Sequence, residues 1–248
     1  MGSSKPDIEQ QRSMWNEWNR VREEGQDDVP LRQACIVEEW LVGLQRTNLD
    51  ILDVGCGAGW LEQWISKYGQ VTATDLADEV LERARVRNPG VNFIAGDFLA
   101  LEWPKGSFDV VVSLEVLSHV ADQAVFLERC AYVLRAGGQL MLATQNRPVL
   151  ERLNNLPPPK PGQLRRWVDA QELRSLLEPH FEVEELFSVT PKSNRRHPMR
   201  LLTSSRVDRS LRPYFGRELD SLRARLEQRG YGWTLMAKAR RAPGPAPE

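Results

Sequence analysis

The sequence predicts an α/β fold built on a doubly wound, largely parallel sheet. Two observations lead to this prediction. Short apolar segments alternate with amphipathic helical segments between residues 48 and 144, and the first apolar segment ends in a glycine-rich turn that opens a helix. Strands that alternate with helices form parallel sheets covered on both faces, and such sheets bind ligands beyond the carboxyl ends of their strands.

The elements follow in order along the chain. Two helices, at residues 7–24 and 31–45, precede the first strand at 49–54. The alternation then continues through strands at 70–74, 91–95, 108–114 and 139–144 and helices at 60–68, 78–86 and 122–134. Residues 135–138, which read Arg-Ala-Gly-Gly, are interpreted as the glycine stop of the last of these helices.

Beyond residue 145 the pattern is less regular. The prolines within residues 156–162 predict a rigid connector. A short helix at 169–178 begins at Asp169, whose carboxylate suits an N-cap, and a strand follows at 181–189. A helix at 215–229 and a strand at 231–239 complete the fold, and we expect the proline-rich residues 243–248 to be disordered.

Composition excludes several classes of protein. The chain has 248 residues, of which 41% are hydrophobic and 27% are charged, as in one ordinary globular domain. Its three cysteines form no CxxC pair and lie far from any histidine cluster, which favours reduced thiols and no metal site. No secretory signal and no run of about 20 apolar residues is present. We therefore expect a cytoplasmic protein without a membrane span.

Charge is unevenly distributed along the chain. Residues 1–189 carry 19 Lys+Arg and 29 Asp+Glu, whereas residues 190–229 carry 11 Lys+Arg and 4 Asp+Glu. The second segment is thus a basic unit within a chain whose net charge is −1.

The glycine-rich turn predicts a nucleoside site. Glycines 55, 57 and 59 permit a tight turn, and Asp75 at the end of the next strand can accept ribose hydroxyls. Trp60 stands where a dinucleotide fingerprint requires glycine, and the sequence of a phosphate loop is missing. Asp53, just before the glycines, would repel a pyrophosphate and attract an ammonium group. A positively charged nucleoside ligand is the prediction.

These residues resemble a known family. The segment Asp53-Val54-Gly55-Cys56-Gly57-Ala58-Gly59 is similar to the first motif of class I S-adenosylmethionine-dependent methyltransferases of the small-molecule type, which include the quinone-methylating enzymes. The resemblance extends over about a hundred residues, through Asp75, Gly96-Asp97-Phe98, residues 108–120 and residues 134–138. It implies a Rossmann-like, seven-stranded, mostly parallel sheet with N-terminal helices, a substrate-recognition insert before the last strand, and S-adenosyl-L-methionine as cofactor.

The resemblance also implies roles for single residues. The backbone of Gly55, Cys56 and Gly57 would face the methionine part, with Asp53 nearby and Leu114 at its end. Asp75 would hold the ribose, Leu76 would line the adenine, and Asp97 and Phe98 would meet the adenine ring. Alternatives stay open: the aspartates could cap loops, and Phe98 could belong to the core.

His119 is the leading candidate for a catalytic base. It follows the fourth predicted strand, and an unperturbed pKa near 6.5 would suit proton transfer at neutral pH. Related sugar O-methyltransferases carry a catalytic histidine at the matching position. The alternative is a helix cap or a packing residue. Glu115 is more consistent with a structural carboxylate, and Ser118 replaces an acidic residue of the quinone-methylating pattern, which argues against metal-assisted chemistry.

Substrate contacts are expected from two regions. Trp15 and Trp18 share one helix face and would either close over the cofactor or pack on the sheet. In the basic insert, Arg195, Arg196 and His197 would bind an anionic group of the acceptor, although a solvated surface is the alternative.

These assignments divide the chain into an N-terminal helical lid (1–47), the cofactor-binding core (48–189), the basic insert (190–229), the final strand (230–241) and the tail (242–248).

Three functions remain open. The first is methyl transfer to a small molecule, with a hydroxyl of a secondary metabolite, sugar or lipid-like compound as acceptor, itself anionic or amphiphilic, by a monomer or homodimer. The second is nucleic-acid methylation along the basic segment, against which stand the net charge and the missing Asn/Asp-Pro-Pro-Tyr motif. The third is a non-catalytic cofactor-binding or interaction module.

Overall fold

A computed structural model describes residues 6–21, 28–195 and 205–242. Its centre is a seven-stranded sheet of β1 (Leu49–Val54), β2 (Gly69–Asp75), β3 (Asn92–Ala95), β4 (Phe108–Leu114), β5 (Leu134–Gln145), β6 (Phe181–Pro191) and β7 (Gly232–Arg241). The spatial order is β3-β2-β1-β4-β5-β7-β6. The first five strands run parallel, and β7 is antiparallel to both β5 and β6. The predicted doubly wound, mostly parallel sheet is confirmed.

Helices cover both faces of the sheet. They are α1 (Ile8–Val21), α2 (Asp28–Gly43), α3 (Glu62–Ile65), α4 (Asp78–Arg87), α5 (Gln123–Val133), α6 (Arg147–Leu153), α7 (Ala170–Leu177) and α8 (Ser205–Gln228). Alternate strand residues point to opposite faces. Leu52 and Val111 pack with α5 and α7, whereas Ile51 and Val110 pack with α2 and α3. Two apolar layers therefore hold the sheet.

Several predicted boundaries are confirmed. The bounds of β1 and β4 agree with the sequence prediction to the residue. Asp169 caps α7 in a capping box with Glu172, as the sequence predicted, and the Asp122 side chain accepts from the Val125 amide at the start of α5.

Residues 135–138 depart from the prediction. They form the start of β5 rather than a helix stop, because Leu134 already pairs with Phe108 of β4. A Cβ on Gly138 would lie 3.0 Å from the carbonyl oxygen of Asp109, so glycine is needed here for strand pairing. The sequence correctly indicated that glycine is required here, but the reason is the close approach of β4 and not the end of a helix.

Three helices also differ from their predictions. The helix predicted at 60–68 is one turn, α3, followed by a 3₁₀ turn at Ser66–Tyr68. Helix α6 was not predicted, since seven residues are too few to show a helical period. Helix α8 begins ten residues earlier than predicted and is kinked at Phe215, two residues after Pro213. The predicted disordered residues 243–248 lie outside the described residues.

Candidate active site

The candidate site lies where the carboxyl ends of β1, β2 and β4 meet. These three strands are parallel neighbours, so the residues that follow them share one edge of the sheet. The glycine loop follows β1, Asp75 ends β2, and the segment containing His119 follows β4. The fold thus brings together most of the residues that the sequence singled out.

Two glycines of the loop are required by their surroundings. Gly55 has φ +82°, and a Cβ there would lie 2.1 Å from Cγ2 of Val116. Gly59 has φ +72°, and its Cβ would lie 2.9 Å from Cβ of Ala84 on α4. Gly57 is different, because the nearest atom that the structure places beside its Cβ position is Oδ1 of Asn19, 3.7 Å away. Side chains at Gly55 and Gly59 would overlap their neighbours, whereas a Cβ at Gly57 would meet α1 at an ordinary contact distance.

The loop amides are largely committed to β2. The amides of Gly55 and Cys56 both donate to the carbonyl oxygen of Thr74, at 2.7 and 3.1 Å. The amide of Gly57 donates to Oδ2 of Asp75 at 2.8 Å. A ligand of this loop would therefore meet carbonyl groups and side-chain carboxylates more than free N–H groups, which suits a cation.

Asp75 is oriented by two backbone amides. Its Oδ1 accepts from Ala77 and its Oδ2 from Gly57, both at 2.8 Å. Burial raises the pKa of Asp75, while these two hydrogen bonds oppose the shift. Each oxygen keeps a second lone pair, so the carboxylate can cap the loop and still accept two hydroxyl groups. The capping and binding interpretations of Asp75 are compatible.

Two further carboxyl groups lie beneath the loop. Asp53 is 3% exposed and Glu62, the first residue of α3, is fully buried. Burial raises the pKa of Asp53, and the charges of Glu62 and Asp75 raise it further. Burial likewise raises the pKa of Glu62 to about 7, although nearby backbone amides oppose the shift. Neither oxygen of Glu62 has a well-aligned hydrogen-bond partner in the described part of the chain. The loop therefore lies over three carboxyl groups, those of Asp53, Glu62 and Asp75, whose burial opposes their ionisation.

The predicted adenine contacts separate into two groups. Leu76 and Leu114 are half-buried at the ends of β2 and β4, where a ligand could reach them. Asp97 Oδ1 accepts from the Leu99 amide, so this carboxylate closes a turn and has one uncommitted oxygen. Phe98 is 5% exposed and packs against two aromatic rings at 5.5 and 5.9 Å. Its ring is a core side chain, which was the alternative interpretation.

His119 ends a 3₁₀ turn at Leu117–His119. Its Nδ1 lies 2.7 Å from the carbonyl oxygen of Leu164, which can only accept, so Nδ1 carries the proton and Nε2 is the basic nitrogen. Burial lowers the pKa of His119 to about 4, and the charge of Arg165 contributes to the decrease. The site thus moves the pKa of His119 below the unperturbed value on which the sequence argument relied, and the ring is neutral at pH 7.

Glu115 serves the structure, as expected. Its Oε1 accepts from Gln33 on α2 at 2.6 Å and from Thr234 on β7 at 3.0 Å. Its φ of +65° is unusual for a residue other than glycine. The strained backbone and the buried partners fix the segment that carries His119.

Helix α1 lies against both halves of the site. The ring of Trp15 is 4.7 Å from that of His119 and 6.2 Å from that of Trp18. Trp15 also packs against the apolar cluster around Cys56 and Ala77. Asn16 donates to Asp78 of α4 at 2.9 Å. The helix spans the edge of the sheet from the glycine loop to His119.

The basic segment is described only in part. Arg195 is exposed and donates to Oδ1 of Asn155 and to the carbonyl oxygen of Arg152. Arg196 and His197 lie outside the described residues. The structure therefore attaches the start of this segment to the end of α6.

Comparisons with known proteins agree with this geometry. Residues 52–142 match the family model described as a methyltransferase domain. The chain is 41% identical over 111 residues to a ubiquinone biosynthesis O-methyltransferase of Xanthomonas euvesicatoria, covering 42% of this chain and 46% of that protein. It is 37% identical over 132 residues to a probable S-adenosylmethionine-dependent methyltransferase of Mycobacterium tuberculosis, covering 53% and 47%.

A solved structure extends the likeness of fold. An S-adenosylmethionine-dependent methyltransferase from Mesorhizobium loti aligns with TM-score 0.59 and 21% identity, over 82% of this chain and 98% of that one. Residues 52–142 match a methyltransferase domain, and the relatives that share it are S-adenosylmethionine-dependent methyltransferases. The matched segment spans just under half the length of the two curated relatives.

The cofactor of this methyltransferase family, S-adenosylmethionine, fits the residues of the site. It carries a sulfonium and an ammonium group, and the acidic cluster of Asp53, Glu62 and Asp75 lies under the loop. Asp75 has lone pairs for the ribose hydroxyls.

Sequence reasoning missed several residues of this methyltransferase site. Glu62 gave no signal, because a single glutamate beside the apolar residues of a short helix is usually solvated. Gln33 and Leu164 orient Glu115 and His119 from segments distant in sequence. Asn19 was hidden in a polar helix, although its spacing of four from Trp15 places both on one face.

The described residues lack two further features, a membrane-spanning helix and a metal-binding cluster. They contain no helix long and apolar enough to cross a bilayer. Within the same residues, no group of three His, Cys, Asp or Glu side chains is arranged to hold a metal ion.

Proposed function

We propose that this protein transfers the methyl group of S-adenosylmethionine to a hydroxyl of a small-molecule acceptor, with His119 as the base. The observation that carries the proposal is the hydrogen bond from His119 Nδ1 to the Leu164 carbonyl oxygen. It fixes the tautomer, so that the lone pair that can accept a proton is on Nε2. S-adenosylmethionine supplies an electrophilic methyl group next to a positive sulfur.

The acidic cluster provides the binding free energy for a cation. Asp75 is held by Gly57 and Ala77 and would accept the ribose hydroxyls. The charges of Asp53 and of the fully buried Glu62 would attract the positive group from beneath the loop, and a neighbouring cation would favour their ionised forms. Leu76 and Leu114 would line the cleft on either side.

His119 would take the acceptor's proton late in the reaction. A neutral imidazole with a pKa of about 4 is too weak a base to ionise a hydroxyl in advance. It accepts a hydrogen bond from the hydroxyl, orients the oxygen and takes the proton as methyl transfer acidifies that oxygen. Trp15, against the ring, would exclude water from this step.

A small molecule is the acceptor class best supported. One curated relative is named for ubiquinone biosynthesis, although the match covers less than half of it. A hydroxyl of a secondary metabolite, sugar or lipid-like compound fits that likeness. Nucleic-acid methylation is less well supported, because several arginines of the described residues are held in ion pairs.

The first test measures cofactor binding. Isothermal titration of S-adenosylmethionine and its demethylated product should give micromolar affinity for the wild-type protein. Asp75→Asn should bind at least tenfold more weakly, because the amide loses the charge and one acceptor. The control Asp220→Asn, on exposed α8, should bind as the wild type does. Failure of both ligands to bind the folded wild-type protein would overturn the proposal.

The second test separates binding from chemistry. His119→Asn keeps a donor near the position of Nδ1 but lacks Nε2. With an acceptor found by screening hydroxylated compounds for release of demethylated cofactor, its turnover should fall about 100-fold or more. Its affinity for S-adenosylmethionine should change less than twofold. Unchanged turnover in His119→Asn would exclude His119 as the base.

A further inference from the structure

An open groove is lined by residues that are hydrogen-bonded to the segment of His119, and it lies outside the residues assigned to the cofactor and to proton transfer. Its volume is about 850 Å³, within the usual range for small-molecule sites. The start of α5, helices α6 and α7 and residues 165–169 form its walls. Arg147 in its lining follows the last residue of β5 by two positions, so part of the groove lies at the edge at which ligands bind in this fold.

The acidic residues of the groove are gathered around one arginine. Arg147 forms ion pairs with Asp169 at 2.5 Å and with Glu172 at 2.7 Å. The charge of Glu151 also acts on Arg147 and raises its pKa together with these partners. The three carboxylates in the lining are therefore engaged on the α6–α7 side.

The other two arginines contact only neutral groups among the described residues. Arg165 donates to the carbonyl oxygen of Pro157 at 2.7 Å and to Oε1 of Gln163 at 3.2 Å. Arg166 donates to the carbonyl oxygen of Ala121. Neither guanidinium group has a carboxylate within ion-pairing distance in that part of the chain, so both charges are available to an anion.

An aromatic ring holds one of these arginines in place. The guanidinium carbon of Arg165 lies 5.1 Å from the ring centre of Trp167, which also lines the groove. This contact restricts the side chain before any ligand arrives, which reduces the entropic cost of binding. The indole also offers an apolar surface beside the two charges.

The backbone of this segment is attached to the segment of the base. Leu164 accepts the hydrogen bond of His119, and the Arg166 amide donates to the carbonyl oxygen of Ser118 at 2.8 Å. The side-chain amide of Gln123 donates to the backbone carbonyl oxygens of Leu117 and Arg166, at 3.0 and 2.8 Å. The position of the two arginines relative to His119 is therefore fixed.

We propose that Arg165 and Arg166 bind an anionic group of the acceptor, a carboxylate or a phosphate, in this groove. A guanidinium group can bind either anion through two parallel hydrogen bonds. The inference rests on the proposed function for the identity of the ligand as acceptor, but its binding can be measured without turnover. It assigns anion recognition to residues 165–166, which follow the proline-rich connector, separately from the basic segment at 190–229.

The test compares an acid with its neutral amide. 4-Hydroxybenzoate and 4-hydroxybenzamide are titrated into the protein saturated with demethylated cofactor, and inorganic phosphate is titrated separately. The wild-type protein should bind the acid at least tenfold more tightly than the amide. The indole N–H resonance of Trp167, assigned with Trp167→Phe, should shift as the acid or phosphate binds.

Variants then locate the preference. In the double variant Arg165→Gln/Arg166→Gln the ratio of acid to amide affinity should fall below threefold. The control Arg174→Gln, an exposed arginine of α7 outside the groove, should keep the wild-type ratio. Cofactor affinity within twofold of the wild type shows that each variant is folded. If the double variant is unfolded, the single variants Arg165→Gln and Arg166→Gln should each lower the ratio at least twofold.

Three results would overturn the inference. They are equal affinity of the wild type for acid and amide, no binding of the acid or phosphate at 10 mM, and a ratio that survives in the arginine variants. Each is distinct from failure of the proposed function, because cofactor titration reports on that function independently.

Discussion

Glu62 is the residue whose environment conflicts most with its chemistry. It is fully buried beside Asp53 and has no well-aligned hydrogen-bond partner among the described residues. A carboxyl in such a place keeps its proton to a higher pH than it would in the unfolded chain. The structure therefore carries a stability cost that grows as the pH rises.

The change Glu62→Gln should remove this cost. The pKa of Glu62 is about 7 in the folded protein against 4.5 for an ordinary glutamate. A raised folded pKa means that the wild type loses stability between about pH 4.5 and 7, and that the full loss is present above pH 7. Denaturant unfolding at pH 8 should show the variant more stable by about 2–3 kcal/mol. At pH 4.5 and below, this advantage should disappear.

The matched control is Glu79→Gln, which changes an exposed carboxylate on α4. Its stability should follow the wild type at every pH. A constant difference between Glu62→Gln and the wild type from pH 4.5 to 8 would contradict the assignment of a raised pKa to Glu62.

The residues of the site differ in how well the sequence predicted them. Gly55 and Asp75 could be predicted because strand, turn and carboxylate are neighbours in sequence, and their local geometry follows from that order. The pKa of His119 could not, because it depends on burial and on Arg165, 46 residues further along. The uncompensated arginines of the groove lie in an irregular segment that has no periodic signal.

At the scale of elements, α1 and the proline-rich connector hold each other in place. A Cβ at Gly162, which has φ +83°, would lie 2.5 Å from the carbonyl oxygen of Gln10 and 3.1 Å from Cβ of Met14. Lys160 lies over the ring of Trp18 at 5.4 Å. The helix that covers the site thus depends on a close backbone approach that only glycine permits.

Gly162→Ala should therefore loosen α1 selectively. Hydrogen exchange of the α1 amides should accelerate more than tenfold, because the added methyl group displaces the helix. The control is Gly230→Ala. The φ of +80° at this position imposes the same backbone strain of about 1 kcal/mol, but no atom lies within 4 Å of the new Cβ. Equal exchange of α1 in both variants would show that the contact with Gly162 does not hold the helix.

Elements were predicted where a local pattern marks them and were missed where no local pattern does. Strands β1 and β4 are largely apolar and are bounded by turn residues, so their bounds were predictable. Residues 135–138 lie in a register shift between two pairs with β4, Leu134 with Phe108 and Gln139 with Val110, and no local pattern reports such long-range pairing. Helix α6 has only two turns, and the second residue of the helix is a proline.

Across the whole molecule, a charged network joins three strands at the end opposite the site. Arg135 of β5 pairs with Asp109 of β4 at 2.6 Å and with Asp50 of β1 at 2.7 Å, and Arg46 pairs with Asp109 at 3.0 Å. Burial opposes ionisation of Asp109, but the Asp50 amide and the two arginines lower its pKa below the usual value.

Arg135→Gln should weaken this network by about 1 kcal/mol at pH 7, because two charge-assisted contacts are lost while the arginine is partly solvated. Since the pKa of Asp109 is lowered in the folded protein, the contribution is present above about pH 4 and decreases as the pH falls further. Denaturant unfolding at pH 7 and at pH 3 should show this decrease.

The control Arg85→Gln removes an exposed pair with Glu82 and one hydrogen bond to the carbonyl oxygen of Phe93, and it should cost about as much at pH 3 as at pH 7 because that carbonyl does not titrate. A loss for Arg135→Gln that is equally large at pH 3 would mean that packing of the arginine, rather than its charge, stabilises the strands.

The position of β7 governs the order in which the sheet can be completed during synthesis. This strand lies between β5 and β6, although it follows both in the chain. A ribosome that has released residues up to 191 has produced two strands whose shared neighbour does not yet exist. Each presents an unpaired backbone edge of the kind that recruits foreign strands. The nascent chain is therefore most exposed to mispairing while α8 is being translated, and emergence of residues 232–241 closes both edges at once.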